Sequence, residues 1–207
     1  MSRRNVRRVP FHLDASGVKN LCHAELAAIL RGADAMISRG GRGQLSKLLK
    51  GSREANILEH HLDLCPSHGY YRALSLEEIL RRIDWAIEHE YLRVDYEYRL
   101  PVLFFTEAGW AIEMETMAAE LLRGFEARLA TGPPFDLSDL KDRNRPMILL
   151  LLDKLEASAR PDFIPLLESW AGIEFAKVRA RINRVIQTLR AISIAAIFTI
   201  QPQRSNT

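Results

Sequence analysis

A mainly α-helical fold of the α+β kind, with one small β-hairpin, is what this sequence predicts, and three observations predict it. Between residues 23 and 90, apolar residues recur at helical spacing in short blocks separated by glycine-bearing loops. From Tyr91 to Thr106 the period drops to near 2 and the composition turns to Tyr, Val and Phe, which favour strands. After Thr106 the helical period returns and, apart from TGPPF at 131–135, continues almost to the end.

Each element has its own signal. Residues 1–20 lack periodicity and carry Arg3, Arg4, Arg7 and Arg8, which predicts a flexible basic arm. AELAAILR, ending at Arg31, predicts a short helix from His23 that stops at Gly32. The loop SRGGRGQLSKLLKGSR brings in Arg39, Arg42, Lys47, Lys50 and Arg53, with a second short helix over Gln44–Lys50 and a third turn or two over Glu54–His60. Ser75 opens a longer helix, and Glu78, three residues on, completes a capping box. The stripe of that helix is Leu76, Ile79, Leu80, Ile83, Ala86 and Ile87. Arg81, Arg82 and Trp85 fall opposite it and are expected outward, burial of Trp85 against the C-terminal helices being the other reading. Tyr91–Tyr96 and Arg99–Thr106 predict the two strands, joined tightly around Tyr96–Arg99 without an Asn-Gly or Asp-Gly turn. Pro101 lacks an N–H and is expected to face an open edge. Thr106 caps a long helix to about Leu129. RPMILLLLDKLEAS, DFIPLLESWA and EFAKVRARINRVIQTLR then read as two or three helices, with Ala159–Asp162 at a HEAT-like turn, and AISIAAIFTI (191–200) reads as strand or helix. Helices followed by a hairpin make a winged helix. The expected domains are the arm (1–20), a winged-helix domain (21–110), a connecting helix (111–130) and a C-terminal helical region (131–207).

Charge is segregated along these 207 residues. Residues 1–53 hold 11 Lys and Arg against 3 Asp and Glu, 54–106 hold 5 against 10, 107–156 hold 6 against 10, and 157–207 hold 7 against 3. A local basic segment of this kind suits phosphate. No apolar run approaches the roughly 18–20 residues of a membrane span, and MSRRNVRRVPF has no apolar stretch behind its charges, so export is not expected. Two cysteines are too few for a secreted disulfide framework, which leaves a cytoplasmic setting.

Catalytic and metal signals are weak. SRGGRGQLSK lacks the G-x-x-x-x-G-K-[ST] spacing and the preceding strand of a phosphate-cradling loop. There is no G-x-S-x-G elbow, and His89-Glu90 lacks the second histidine of a zincin, since Val94 lies there. Cys65 and His68 have half of a zinc spacing, but the adjacent Cys22 and His23 are poorly placed to complete a tetrahedron. The expectation is a protein that is not an enzyme and needs neither cofactor nor metal.

Several of these segments, in order, resemble the RQC domain, the DNA-binding module at the C-terminal side of RecQ helicases. Ile29-Leu30-Arg31-Gly32 is similar to the motif that ends its first helix. Gly69-Tyr70-Tyr71-Arg72 with Ser75 is similar to the turn into its recognition helix, whose apolar register Ile79, Ile83, Ala86 and Ile87 follow. Phe105-Thr106-Glu107-Ala108-Gly109 is similar to the end of its hairpin. The resemblance runs from His23 to Trp110 and departs at Glu90, where glycine is common, and at Ala33-Asp34, where small hydroxyl residues are. It is that of a stand-alone bacterial DNA-binding relative, nucleoid-associated and without a helicase motor. It implies binding to duplex or duplex-end DNA. Arg31, Arg39, Arg42, Lys47, Lys50, Arg53 and Arg72 are the expected phosphate contacts, with Arg81, Arg82 and Trp85 on the recognition helix. The wing offers Arg93, Tyr96, Tyr98 and Arg99, its tyrosines either stacking on an unpaired base as a wedge or packing the small sheet. Two other readings stay open. One is a sequence-specific winged-helix transcription regulator; the other is an adaptor that meets a protein partner through the C-terminal helices.

Overall fold

The computed structural model describes residues 8–140 and 143–199. Arg3, Arg4 and Arg7 of the expected arm, and Ile200 of the last apolar stretch, lie outside the described residues. The chain divides into two compact units, Met1–Thr116 and Met117–Thr207.

The first unit contains α1 (His23–Asp34), α2 (Arg42–Lys50), α3 (Ala55–Glu59), α4 (Leu76–Glu88), β1 (Leu92–Glu97), β2 (Leu100–Phe105) and the opening of α5 (Glu107–Thr131). Its core is the apolar stripe of each helix, with Ile29, Leu45, Leu48, Ile79, Ile83 and Leu103 fully buried. Gly32 does not end α1, as expected from its type; the helix continues through it to Asp34. A Cβ at Gly32 would lie 3.0 Å from a Leu45 methyl and 3.3 Å from Leu48 and Leu49. The glycine therefore marks where α1 packs closely on α2, and the helix runs on past it.

Helix α4 starts and stops by side-chain and backbone chemistry legible in its sequence. Ser75 Oγ accepts the Glu78 N–H at 3.2 Å, while Glu78 Oε2 accepts the Ser75 N–H at 2.8 Å. At the other end the Tyr91 N–H donates to the Ala86 carbonyl (2.9 Å) and the Glu90 N–H to that of Ile87 (3.1 Å), with Glu90 at φ +60°. This is a Schellman stop with glutamate in the position that glycine prefers.

The chain reversal at Glu90 corrects the expectation that Trp85 points outward. It returns Tyr91 over the helix end, and Trp85, 6% exposed, lies between Tyr91 (ring centroids 6.2 Å) and His89 (3.8 Å). Its burial is within this unit.

Strands β1 and β2 pair antiparallel from Leu92↔Phe105 to Glu97↔Leu100, leaving Tyr98-Arg99 as a two-residue turn. The outer edge of β2 is taken up at its middle: the Leu103 N–H donates to the Gly40 carbonyl (3.0 Å) and its carbonyl accepts from Ser38 (2.9 Å). Pro101, two residues before Leu103, turns its nitrogen to that same side, away from β1, as a residue without an N–H must. Thr106 then locks the hairpin to α5. Its hydroxyl lies against the carbonyls of Glu90 and Tyr91 and accepts the Gly109 N–H at 3.1 Å. A Cβ at Gly109 would come within 1.9 Å of the Tyr91 carbonyl oxygen, so only glycine fits.

From Arg8 onward the N-terminal segment is laid on this unit. The Val9 N–H donates to the Arg99 carbonyl (2.9 Å), the Tyr96 hydroxyl donates to the Val9 carbonyl (2.9 Å), and the Asp14 N–H donates to Asp84 Oδ2 (2.9 Å).

The second unit contains the remainder of α5, α6 (Arg145–Ala157), α7 (Ile164–Ile173) and α8 (Ala176–Thr199). Its core centres on Trp170, whose ring meets Phe125 edge-on at 5.5 Å, with Phe163, Leu151 and Val185 fully buried nearby. The apolar stretch after Arg190 is helical through Thr199 as the end of α8.

Candidate nucleic-acid interface

A residue that grips phosphate must present a cation whose present partners are cheap to leave. The expected contacts separate on that criterion. Arg42 fails it: its guanidinium is bound to Asp84, which is 3% exposed and also accepts the Asp14 N–H, and it lies over the Phe11 ring at 5.4 Å. Pulling Arg42 onto DNA would strand a buried carboxylate. Lys50 is committed too, its ammonium donating to the carbonyls of Arg72 (2.8 Å) and Leu74 (2.6 Å), which clamps the loop before α4 onto the end of α2. Arg82 donates to the Glu78 carbonyl (3.0 Å), pairs with Glu25 (3.6 Å) and lies over Tyr71. Arg31 pairs with Asp34 at 3.5 Å and lies 3.9 Å from the buried Glu113. These four, with Trp85, hold the fold together.

Other cations have partners that cost little to leave. Lys47 meets Glu54 at 2.6 Å, Arg81 meets Glu77 and Asp14, and Arg93 meets Asp95 at 3.3 Å. Each partner carboxylate is well exposed, and such pairs are worth about 0–1 kcal/mol. Arg39, Arg53, Arg72 and Arg99 have exposed side chains, that of Arg72 donating from Nε to the Gly69 carbonyl at 3.3 Å. The structure thus brings Lys47, Arg53 and Arg72 around the C-terminal end of α2, where Gly69 and Tyr71 donate to the carbonyls of Leu48 (3.0 Å) and Leu49 (2.8 Å).

The second grouping is at the hairpin tip. Tyr98 is 86% exposed, Leu100 is 62% exposed, and both line a cleft of about 500 Å³ with Val9, Arg39, Arg99 and one carboxylate, Glu97. Tyr98 occupies the turn at φ +55°, a conformation unusual for a bulky side chain. Tyr96 has a different job. Besides its bond to Val9, its ring carries Arg8 at 4.7 Å and Phe11 at 6.1 Å, so it anchors the N-terminal segment to the wing. The two tyrosines, expected together at the tip, have different surroundings: Tyr96 is paired with Pro101 in the ladder and covered by the N-terminal segment, whereas Tyr98 lies beyond the ladder in the turn. Sequence reasoning missed Val9 and Leu100 entirely. Leu100 fell within the expected second strand with no sign of its exposure, and Val9 carried no signal.

Cys65 and His68 each meet a backbone carbonyl, and Cys22 is exposed. Cys65 Sγ lies 3.6 Å from the Arg31 carbonyl and His68 Nε2 3.0 Å from that of Ser52. Among the described residues, no group of three or more His, Cys, Asp or Glu side chains is arranged to hold a metal ion. No helix among them is long and apolar enough to cross a membrane.

Helices α1, α2 and α4 packed in one core, residues 38–40 along the outer edge of a hairpin, and an aromatic tip held in solvent define a winged-helix domain. The family model for the RQC domain matches residues 22–126, slightly more than half of the 207 residues, and the chain belongs to that family. The RQC domain is a DNA-binding winged helix and is not catalytic by itself. Neither the curated proteins nor the solved structures gave a match to the chain.

Proposed function

We propose that this protein binds duplex DNA ends with its wing tip, and acts there without ATPase or helicase activity of its own, as a nucleoid-associated protein. The observation that carries this reading is Tyr98. A large aromatic side chain stands almost wholly in solvent, in a backbone conformation that disfavours it, with Arg39 and Arg99 lining the same cleft. Exposure and backbone strain together point to function. A ring so placed can stack on a terminal base while the guanidinium groups hold the flanking phosphates, for about 1–3 kcal/mol per stacked base. Lys47, Arg53 and Arg72 supply a second set of backbone contacts further along the duplex.

The sequence-specific regulator is less well supported. Entry of α4 into a major groove would bring its exposed Glu77, Glu78 and Glu88 against the phosphates, and Trp85, its expected aromatic reader, is buried.

Binding to blunt and forked duplexes across a salt series tests the reading. Arg39→Glu with Arg99→Glu should weaken affinity and flatten the salt slope by roughly one unit per lost contact. An unchanged slope and affinity in the folded double variant would falsify the placement of the site at the wing.

A further inference from the structure

The second unit carries an apolar cleft of about 830 Å³ where α7 meets α8, lined by Leu140, Ile148, Ile173, Phe175 and Val178. Ile173 is 64% exposed and Phe175 84% exposed, two positions apart in sequence, and both line the cleft. Phe175 is the residue just before α8, whose carbonyl accepts the first helical bond from the Arg179 N–H at 2.9 Å. That position favours Ser, Thr, Asp or Asn, whose side chains satisfy the free N–H groups of the first turn. Phenylalanine does nothing for the helix there, and its ring gains nothing from solvent. Something else must account for it.

The charge around the cleft says what. Arg143, Arg145 and Lys177 stand at its rim with a single lining carboxylate, Glu174. That carboxylate is turned inward, accepting the indole N–H of the buried Trp170 at 2.9 Å and the Phe175 N–H at 3.3 Å. The nearby Asp139 is held by Arg128. The rim is therefore basic and the floor aliphatic.

We propose that this cleft docks an acidic segment of a partner protein, one that inserts two or more large apolar side chains between Ile173 and Phe175 and sets its Asp or Glu residues against Arg145 and Lys177. The segment is not the C-terminal stretch of this sequence. Residues 200–207 contain Arg204 and no acid. Nor does the lining suit a nucleic acid strand, which stacks its bases on aromatic platforms; five of the six apolar side chains lining it, Ala176 among them, are aliphatic. Docking at this cleft is independent of the proposed DNA site.

Selection of a displayed random 16-residue peptide library against the full chain tests this directly. The expected peptides are rich in Asp and Glu, carry large apolar residues at helical spacing, and bind Phe175→Ala at least tenfold more weakly. A second variant, Arg145→Glu with Lys177→Glu, should turn the selection toward basic peptides, and both variants alter exposed side chains and should fold as the parent does. Peptides of no charge preference, equal binding to Phe175→Ala, or displacement by an oligo-dT strand would each overturn the proposal, the last in favour of a nucleic acid site.

Discussion

Glu90 sits in a left-handed conformation at the end of α4, in the position that commonly holds glycine in the RQC family the sequence resembles. The Schellman bonds around it are intact, so the side chain contributes strain with no backbone bond to show for it. Glu90→Gly should therefore stabilise the protein by about 0.5–1 kcal/mol, read as a rise in the urea or thermal midpoint; a fall would mean that the glutamate side chain makes a contact that outweighs the strain. Arg42 is the opposite case. It sits among the basic residues of a glycine-rich loop, and sequence alone gave it to phosphate because the acid it needs, Asp84, is 42 positions away on another helix. Arg42→Ala should cost about 3–5 kcal/mol by leaving Asp84 buried and unpaired. A midpoint within error of the parent would contradict the pairing.

Elements were legible where their signals are local. The capping box at Ser75 and the change of period into the hairpin lie within a few residues of where they act and appear as read, whereas the stripe of α4 holds at Ile79, Ile83 and Ala86 but leaves Leu76 exposed and buries Asp84 and Trp85 instead. The end of α1 was misplaced because Gly32 answers to Leu45 on α2 and not to its own helix. The orientation of Trp85 was missed because a reversal after the helix covers it. The cap of α4 also has a pH signature. Hydrogen bonds from the Ser75 backbone and then its hydroxyl hold the Glu78 carboxyl below its ordinary value. A depressed folded pKa means stability that is full above the ordinary glutamate value and lost as pH falls through the folded one. Ser75→Ala should cost about 1 kcal/mol near pH 7, and the difference from the parent should shrink as the pH is lowered below about 4. A difference that stays constant down to pH 2 would show that Glu78 takes no part.

At the scale of the whole molecule, the segregation of charge was visible in the sequence, but its destination was not. The basic N-terminal quarter commits the half-buried Arg42 and Lys50 to partners within the first unit and leaves only part of its charge for other contacts, while the wing adds Arg99 from an otherwise acidic segment. Nothing local distinguishes a structural arginine from a phosphate-binding one; the long-range acid decides. The second unit was legible as helices, but the exposed pair Ile173 and Phe175 emerged only when α7 and α8 were seen to meet. If Tyr98 stacks on a terminal base, 2-aminopurine placed at the end of a blunt duplex reports it. Saturating parent protein should change the fluorescence of the terminal probe and leave an internal probe unaltered, and a folded Tyr98→Ala protein, still bound, should leave both unaltered. The same terminal change with Tyr98→Ala as with the parent would contradict the stacking.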